Sequence, residues 1–335
     1  MFAAKVWAFV FFMGLILNIV MLLNPFTCLL EIILLIWCYF DKTASCGGYH
    51  SGVYKMLSDK FRKLAIWNEF KQHFPSKLIV KGQLNKNDKY LLSYHPHGII
   101  GLGVFTNFVY DYPHLQELPV IRPATLNFNL TLPFLRHLAL LNRFISCDYD
   151  SMKGVLNGDH LQVEDPKESV LLVTGGGYEA EFTKSKTLTV AINKRNGFIR
   201  LCMDTGAKLV PVIAFGEADT FYIHTQETIQ VTWYSTMAFQ LLTRIQKLCR
   251  KYCGFSLLFF TGDPIINYFP FPFNFPITPR QTPLTVVIGE PISVLSTKHP
   301  TPQQIESVKE EFKRQVRALV VEYGTPYGIS KVDFK

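Results

Sequence analysis

Two long apolar runs open the chain, Val6 to Leu23 and Phe26 to Phe40, split by Asn24-Pro25. Of the first 40 residues 33 are apolar, and Lys5 and Glu31 are the only charges. Proline disfavours helix in the residue before it, so Asn24-Pro25 marks a turn between two helices. A bilayer core takes about 20 apolar residues per straight helix. The first run nearly reaches that length; the second, with Glu31, falls short. Neither matches a signal peptide, which has a shorter apolar stretch and a small-residue cleavage site. The pattern predicts a membrane-embedded helical hairpin over residues 1–40, with a buried helical pair inside a soluble fold as the alternative. Lys55, Lys60, Arg62 and Lys63 follow the hairpin, and by the positive-inside tendency this places both termini in the cytosol.

Beyond the hairpin the pattern changes to short apolar strands separated by helical stretches. Tyr90 to Tyr94, Val170 to Val173, Leu209 to Phe215 and Leu284 to Ile288 read as strands. Ser58 to Phe74 leans helical, and Gly197 to Thr205 is helix-like. Thr301 to Tyr323 is a helix with a cap-like start and the stripe Ile305, Val308, Phe312, Val316, Leu319 and Val320. The alternation predicts an α/β body over residues 41–335 with a largely parallel sheet. Functional residues in such sheets gather at the carboxyl ends of strands. His95 and His97, Glu217 and Glu290 stand at three of these ends; Glu179 follows the glycines that close the fourth.

Charge adds one constraint. The 335 residues carry 34 Lys+Arg against 26 Asp+Glu, a net +8. That suits an acidic partner: nucleic acid, an anionic membrane or a phosphorylated substrate. No basic run is interleaved with aromatic stacking platforms, so nucleic acid is not expected. Arg244, Lys247, Arg250 and Lys251, among Leu241, Leu242, Ile245 and Leu248, form a basic amphipathic helix. It suits a membrane surface, with an ordinary surface helix as the alternative. Tyr268 to Pro283, rich in Phe and Pro, reads as an extended loop. Seven cysteines in no framework fit reduced thiols.

The sharpest chemical signal is His95-Pro96-His97-Gly98 at a strand end. Proline stiffens the turn and glycine permits close backbone approach. Two imidazoles that titrate near pH ~6.5 then stand where a substrate can reach them. They read first as a general base, with structural histidines as the plain alternative. Side chains two apart on extended backbone are awkward for one shared metal, and no metal is expected. Gly175-Gly176-Gly177-x-Glu179 offers backbone N–H groups to an anion. It is neither a Walker loop nor a dinucleotide fingerprint. No Gly-x-Ser-x-Gly elbow is present. Together these point to direct transfer assisted by a base.

Tyr94-His95-Pro96-His97-Gly98 resembles the signature of the type 2 diacylglycerol acyltransferase family, which includes monoacylglycerol and wax-alcohol acyltransferases. Further blocks agree in order: Gly47-Gly48, His73-Phe74-Pro75, Gly175-Gly176-x-x-Glu179, Lys194-Arg195-Asn196-Gly197-Phe198 through Phe215-Gly216-Glu217, and Val286 to Ile292. The blocks cover about residues 35–329. Departures from the pattern are His73, Arg136-His137-Leu138, Ala218-Asp219, Cys253-Gly254-Phe255 and Val308-Lys309, which put a diverged substrate preference in play.

The resemblance implies a glycerolipid-acyltransferase-like domain facing the cytosol from the endoplasmic-reticulum membrane. It implies transfer of a fatty acyl group from acyl-CoA, a co-substrate, to the hydroxyl of a neutral lipid. Diacylglycerol is the first expectation. Monoacylglycerol, a fatty alcohol and a catalytically silent lipid-binding relative are the alternatives. His95, His97 and Glu179 are the expected catalytic residues, with His95 preferred as base. Gly175, Gly176 and Gly177 are expected near the oxyanion. Lys194 and Arg195, with Lys184, Lys186 and Arg200, are candidates for the CoA phosphates. No cofactor is expected. Membrane lipids are expected partners, and a homo-oligomer is left open.

Overall fold

Seven strands form the central sheet of the computed structural model, which describes residues 2–46, 52–159, 167–224, 240–241, 243–249, 251, 258, 260–263 and 277–335. In chain order they are β1 (Ser76–Val80), β2 (Tyr90–His95), β3 (Val120–Thr125), β4 (Ile145–Ser146), β5 (Glu168–Leu172), β7 (Lys208–Phe215) and β10 (Leu284–Ile288). Outside it, β6 (Leu188–Val190) pairs in parallel with β11 (Val332–Phe334), and β8 (Tyr222–Ile223) pairs with β9 (Phe260–Thr261). The central order is β1-β10-β7-β2-β5-β3-β4. Every pairing is parallel except β10 with β7. This is an α/β fold with a mostly parallel sheet, preceded by an apolar helix.

Strand β2 is buried along its whole length, as expected when both faces of a sheet are covered. Its residues alternate between two cores, following the period of two. Leu91 faces a core built with Phe198, Phe312 and Val316 from the helices Gly197–Thr205 and Pro302–Tyr323. Tyr90, Leu92 and Tyr94 face the other core, with Trp7, Phe70 and Phe105. The long carboxy-terminal helix begins as its sequence suggests. Thr301 accepts from the Gln304 N–H, and Gln304 Oε1 accepts from the Thr301 N–H, a reciprocal cap ahead of Pro302.

The apolar runs form α1 (Phe2–Leu23) and α2 (Cys28–Phe40), with the break at Asn24 as the sequence implies. Helix α1 is long and apolar enough to cross a membrane; α2 is shorter. The first two turns of α1 do something the pattern does not announce. Ala3, Ala4, Trp7 and Ala8 are buried in the core behind β2. Trp7 packs against Phe70 and Phe105 at ring distances of 5.5 and 5.1 Å. Beyond them Ile19, Val20, Leu29 and Ile33 are exposed apolar surface, a sign of contact with an apolar medium. Arg136, fully buried in the helix Pro133–Leu141, ties the end of α2 down. Its guanidinium donates to the carbonyls of Cys38, Leu130 and Asp41 at 3.1, 2.9 and 3.1 Å and pairs with the Asp41 carboxylate.

The reversed β10 corrects one expectation. Thr285 faces Phe215 and Ile288 faces Val212, so β10 runs against its neighbour. Glu290 therefore leaves the sheet at the edge opposite His95 and is exposed. Strands β1 and β3 were not legible as apolar runs: β3 carries Arg122 and Pro123, residues that depress strand propensity. In the basic amphipathic stretch, residues 243–249 are helical, and Leu241, Arg244, Ile245, Lys247 and Leu248 are exposed. Leu242 and Arg250, like Gly47-Gly48, Cys253-Gly254-Phe255 and most of Tyr268 to Pro283, lie outside the described residues.

Candidate active site

His95 closes β2 and is fully buried. Its Nδ1 lies 2.7 Å from Glu179 Oε2, and Glu179 is buried too. A carboxylate only accepts, so Nδ1 carries the proton and Nε2 is left as the basic nitrogen. Ser93 Oγ stands 3.0 Å from Nε2 and donates to it; Thr174 Oγ1 is 2.6 Å from Ser93 Oγ. The result is a buried chain from Glu179 through His95 and Ser93 to Thr174. Phe312 packs against the His95 ring edge-on at 6.0 Å.

Glu179 sits in the short helix Gly176–Ala180 that follows β5. Besides His95 it takes the backbone N–H of His97 on Oε1 and that of Ala191 on Oε2, both at 2.8 Å. One carboxylate thus fixes the ring of His95 and the backbone of His97. The glycines before it allow this approach. A Cβ on Gly175 would lie 2.1 Å from Glu179 Oε2, and Gly176 has φ +53°. The Gly176 N–H is already bonded to the Val173 carbonyl at 3.0 Å. It is therefore not free to meet an oxyanion, which corrects the expectation for that amide and leaves those of Gly175 and Gly177.

His97 is half-buried. Its Nδ1–H donates to the Gly98 carbonyl at 3.0 Å, so Nε2 again holds the lone pair. Among the described residues nothing bonds that Nε2. Burial lowers the pKa of this imidazole from its usual value and keeps it neutral.

Glu217 carries the next stretch of backbone. Its Oε1 accepts from the Leu102 N–H at 2.7 Å, and its Oε2 accepts from the Gly103 N–H and the Tyr94 hydroxyl, both at 2.8 Å. Burial pushes this carboxyl up to about 7, against the pull of those three hydrogen bonds.

Arg195 lies over the glycine turn, its guanidinium nitrogens 3.7 Å from where a Gly176 Cβ would be. Lys194, Lys184, Lys186 and Arg200 are exposed. The turn that holds Lys194 and Arg195 is braced by Lys309, whose buried ammonium donates to the Asn193 carbonyl at 3.0 Å. The departure at His73 also has a structural use: its Nε2–H donates to the Pro279 carbonyl at 3.0 Å.

The structure therefore brings together His95, His97, Glu179, Gly175, Gly176, Gly177 and Arg195, with Lys194 beside them on the surface. Sequence reasoning missed Ser93 and Thr174. The signal for Ser93 was available: it is the one small polar residue in an apolar strand, two positions before His95 and so on the same face.

Comparison with known proteins identifies the family. A family model described as diacylglycerol acyltransferase matches residues 20–334. Diacylglycerol O-acyltransferase 2B of Umbelopsis ramanniana is 30% identical over 304 residues, covering 89% of this chain and 79% of that protein. The 2-acylglycerol O-acyltransferase 1 of Bos taurus is 29% identical over 297 residues, covering 88% and 81%. The crystal structure of the 1-acyl-sn-glycerophosphate acyltransferase PlsC of Thermotoga maritima aligns over 86% of this chain and 96% of that one, with TM-score 0.36 and 12% identity. The family model spans well over half of the chain, and the chain belongs to the diacylglycerol acyltransferase family.

Proposed function

We propose that this protein transfers a fatty acyl group from acyl-CoA to the hydroxyl of diacylglycerol, giving triacylglycerol. The observation that carries the reading is the buried Glu179–His95 pair at the end of β2, 2.7 Å apart, in a chain of this family. The carboxylate holds Nδ1–H, which makes Nε2 the base. The acceptor hydroxyl gives its proton to Nε2, a step that requires Ser93 Oγ to turn aside and the buried His95 ring to be uncovered. Its oxygen attacks the thioester carbonyl carbon, and the carbon–sulfur bond breaks. CoA leaves as a thiolate, whose conjugate thiol has a pKa of roughly 8.5 by analogy with cysteine, and collects the proton from the imidazolium. The Gly175 and Gly177 amides are the candidates to face the developing oxyanion. Arg195 and Lys194 are the candidates to meet CoA phosphates at the same edge.

Two readings stay distinct. The free Nε2 of His97 favours that residue as base, with His95 and Glu179 then setting the turn. The bovine relative named for 2-acylglycerol favours a monoacylglycerol acceptor. In this proposal residues 1–40 anchor the chain in the endoplasmic-reticulum membrane and residues 41–335 face the cytosol. The test is the full chain in detergent or vesicles with labelled acyl-CoA and three acceptors: diacylglycerol, monoacylglycerol and a fatty alcohol. Labelled triacylglycerol as the main product supports the reading; no labelled ester with any acceptor overturns it.

A further inference from the structure

The helix after the hairpin, α3 (Gly52–Arg62), is turned inside out for a helix in water. A surface helix ordinarily buries its apolar side and shows its polar side. Here hydrogen-bonding groups face the body. Ser58 is 2% exposed, and its Oγ donates to the Leu141 carbonyl at 2.8 Å. Asp59 pairs with Arg143, Arg62 Nε donates to the Val109 carbonyl, and the Tyr54 hydroxyl bonds His137 Nδ1. Val53, Met56 and Leu57, with Leu64 just past the helix end, are instead 43–62% exposed. At 3.6 residues per turn, Val53, Met56, Leu57 and Lys60 share one sector of about 100°.

Charge selects what covers this face. Lys60 stands within the apolar stripe and Lys63 follows it; both are exposed, and neither pairs with an acid among the described residues. A protein partner seated on the stripe would bury unpaired ammonium groups, and a second copy of the same face would bring more cations to them. A bilayer surface removes that conflict. Lysine stems lie along apolar surface while their ammonium groups stay at the level of the headgroups, and anionic headgroups attract them.

The face also continues the exposed apolar surface of the hairpin. The ring of His137, an exposed residue of the helix Pro133–Leu141, stacks on Trp37 of α2 at 6.4 Å and on Tyr54 of α3 at 6.0 Å. Trp37 is exposed, as are Ile33 and Ile36 before it. Trp and Tyr gather at the interface between hydrocarbon and water. The three rings therefore join an apolar helix to an amphipathic one at headgroup depth.

We propose that α3 lies in the headgroup layer of an anionic bilayer. Val53, Met56, Leu57 and Leu64 rest on the upper acyl chains, and Lys60 and Lys63 meet lipid phosphates and carboxylates. Its place beside the hairpin draws on the anchoring proposed above; acyl transfer is not required. The hairpin holds the chain in the membrane, and α3 adds selectivity for anionic lipid and stops the body from rolling about the hairpin.

The test is hydrogen–deuterium exchange of the full chain, read on peptides within residues 52–64, in phosphatidylcholine vesicles with and without phosphatidylserine. Exchange should be at least about fivefold slower in the anionic vesicles, the scale of one lysine at such a surface, and high salt should shrink the gap. Lys60→Gln with Lys63→Gln should close the gap. Met56→Gln with Leu57→Gln should speed exchange in both vesicles. These side chains are exposed, and unchanged exchange in strand Tyr90–His95 confirms that the variants fold. Equal exchange of the unaltered protein in the two vesicles overturns the proposal. So does protection that rises with protein concentration in detergent without lipid, which gives the face to a second copy. Carbonate extraction reads the hairpin separately, and ester formation reads the catalytic proposal. An extraction-resistant, active chain that exchanges alike in both vesicles overturns the role of α3 alone; a protected α3 in a chain that forms no ester keeps it and removes the acyltransferase reading.

Discussion

Gly98 faces the Glu217 side chain so closely that a Cβ on the glycine would lie 2.6 Å from Glu217 Cγ. Its φ of +58° is also one that side chains rarely adopt. The backbone that leaves the histidine turn is thus moulded on a single buried carboxylate. Gly98→Ala should displace either the loop or Glu217. An activity loss of tenfold or more is expected, with a stability cost of about 1–3 kcal/mol. Initial rates and denaturant unfolding of the purified variant check both; wild-type values in both would show that the loop does not depend on this contact.

Glu217 also gives a pH dependence with a definite sign. In the folded chain its carboxyl keeps a proton up to about 7, whereas the ordinary value is 4.5. Between those values the folded state binds the extra proton, so stability falls as pH rises through the window. Above about pH 7 the loss is complete, on the order of 3 kcal/mol. Glu217→Gln cannot ionise. It also sets an amide NH2 against a backbone donor, so its absolute stability should drop. The diagnostic is the slope: thermal midpoints from pH 5 to 7.5 should decline in the wild type and be flatter in the variant. Parallel slopes would assign Glu217 an ordinary ionisation.

The paired imidazoles separate by substitution. His95→Ala should lower acyl transfer by about 10²-fold or more, the usual scale for losing a general base. Glu179→Gln should also slow it. The amide still presents one oxygen, but it loses the charge that orients Nδ1–H and it crowds the His97 or Ala191 N–H. His97→Ala should impair transfer less. Rates at saturating acyl-CoA, normalised to folded protein, decide the order; a larger loss in His97→Ala than in His95→Ala moves the base to His97.

Trp7 tests how far the hairpin is separable. Its indole is 4% exposed and contacts Phe70 and Phe105. Trp7→Ala should cost about 3–5 kcal/mol, the range for emptying an aromatic site in a core. Deleting residues 2–40 should weaken membrane retention and also destabilise the body, read as loss of protease resistance in residues 52–335. A deleted chain as resistant as the full one would make α1 an appendage.

Arg136 binds three backbone carbonyls and the Asp41 carboxylate from a fully buried position. Arg136→Met keeps the aliphatic bulk and strands those acceptors. A loss of about 3–5 kcal/mol is expected, as for one partner removed from a buried pair. Limited proteolysis near residue 41 measures whether the end of α2 has come free.

Much of this molecule can be read from its residues. Tyr90-Leu91-Leu92 and Val286-Val287-Ile288 are apolar enough to announce buried strands, and Thr301-Pro302-x-Gln304 announces a helix start. What could not be read has physical causes. The direction of β10 depends on which neighbour it joins, and nothing in Leu284 to Ile288 states that. The partnership of Glu179 with His95 spans 84 positions, beyond any local pattern. Trp7 lies in a run that is apolar throughout, so periodicity cannot separate its packed side from its exposed side. Ser93 was visible as a polar break in an apolar strand, but only the folded chain shows that it reaches His95.

Helix α1 has 22 residues, about 33 Å of rod at the usual rise per residue. One end is fixed in the core behind β2, and the rest shows apolar surface. A rod clamped at one end makes its tilt and the height of the reactive edge above the bilayer a single variable. Under the proposed anchoring of residues 1–40, hydrocarbon thickness would act through geometry: a thinner membrane would tilt the rod, and the edge that carries His95 would move with it.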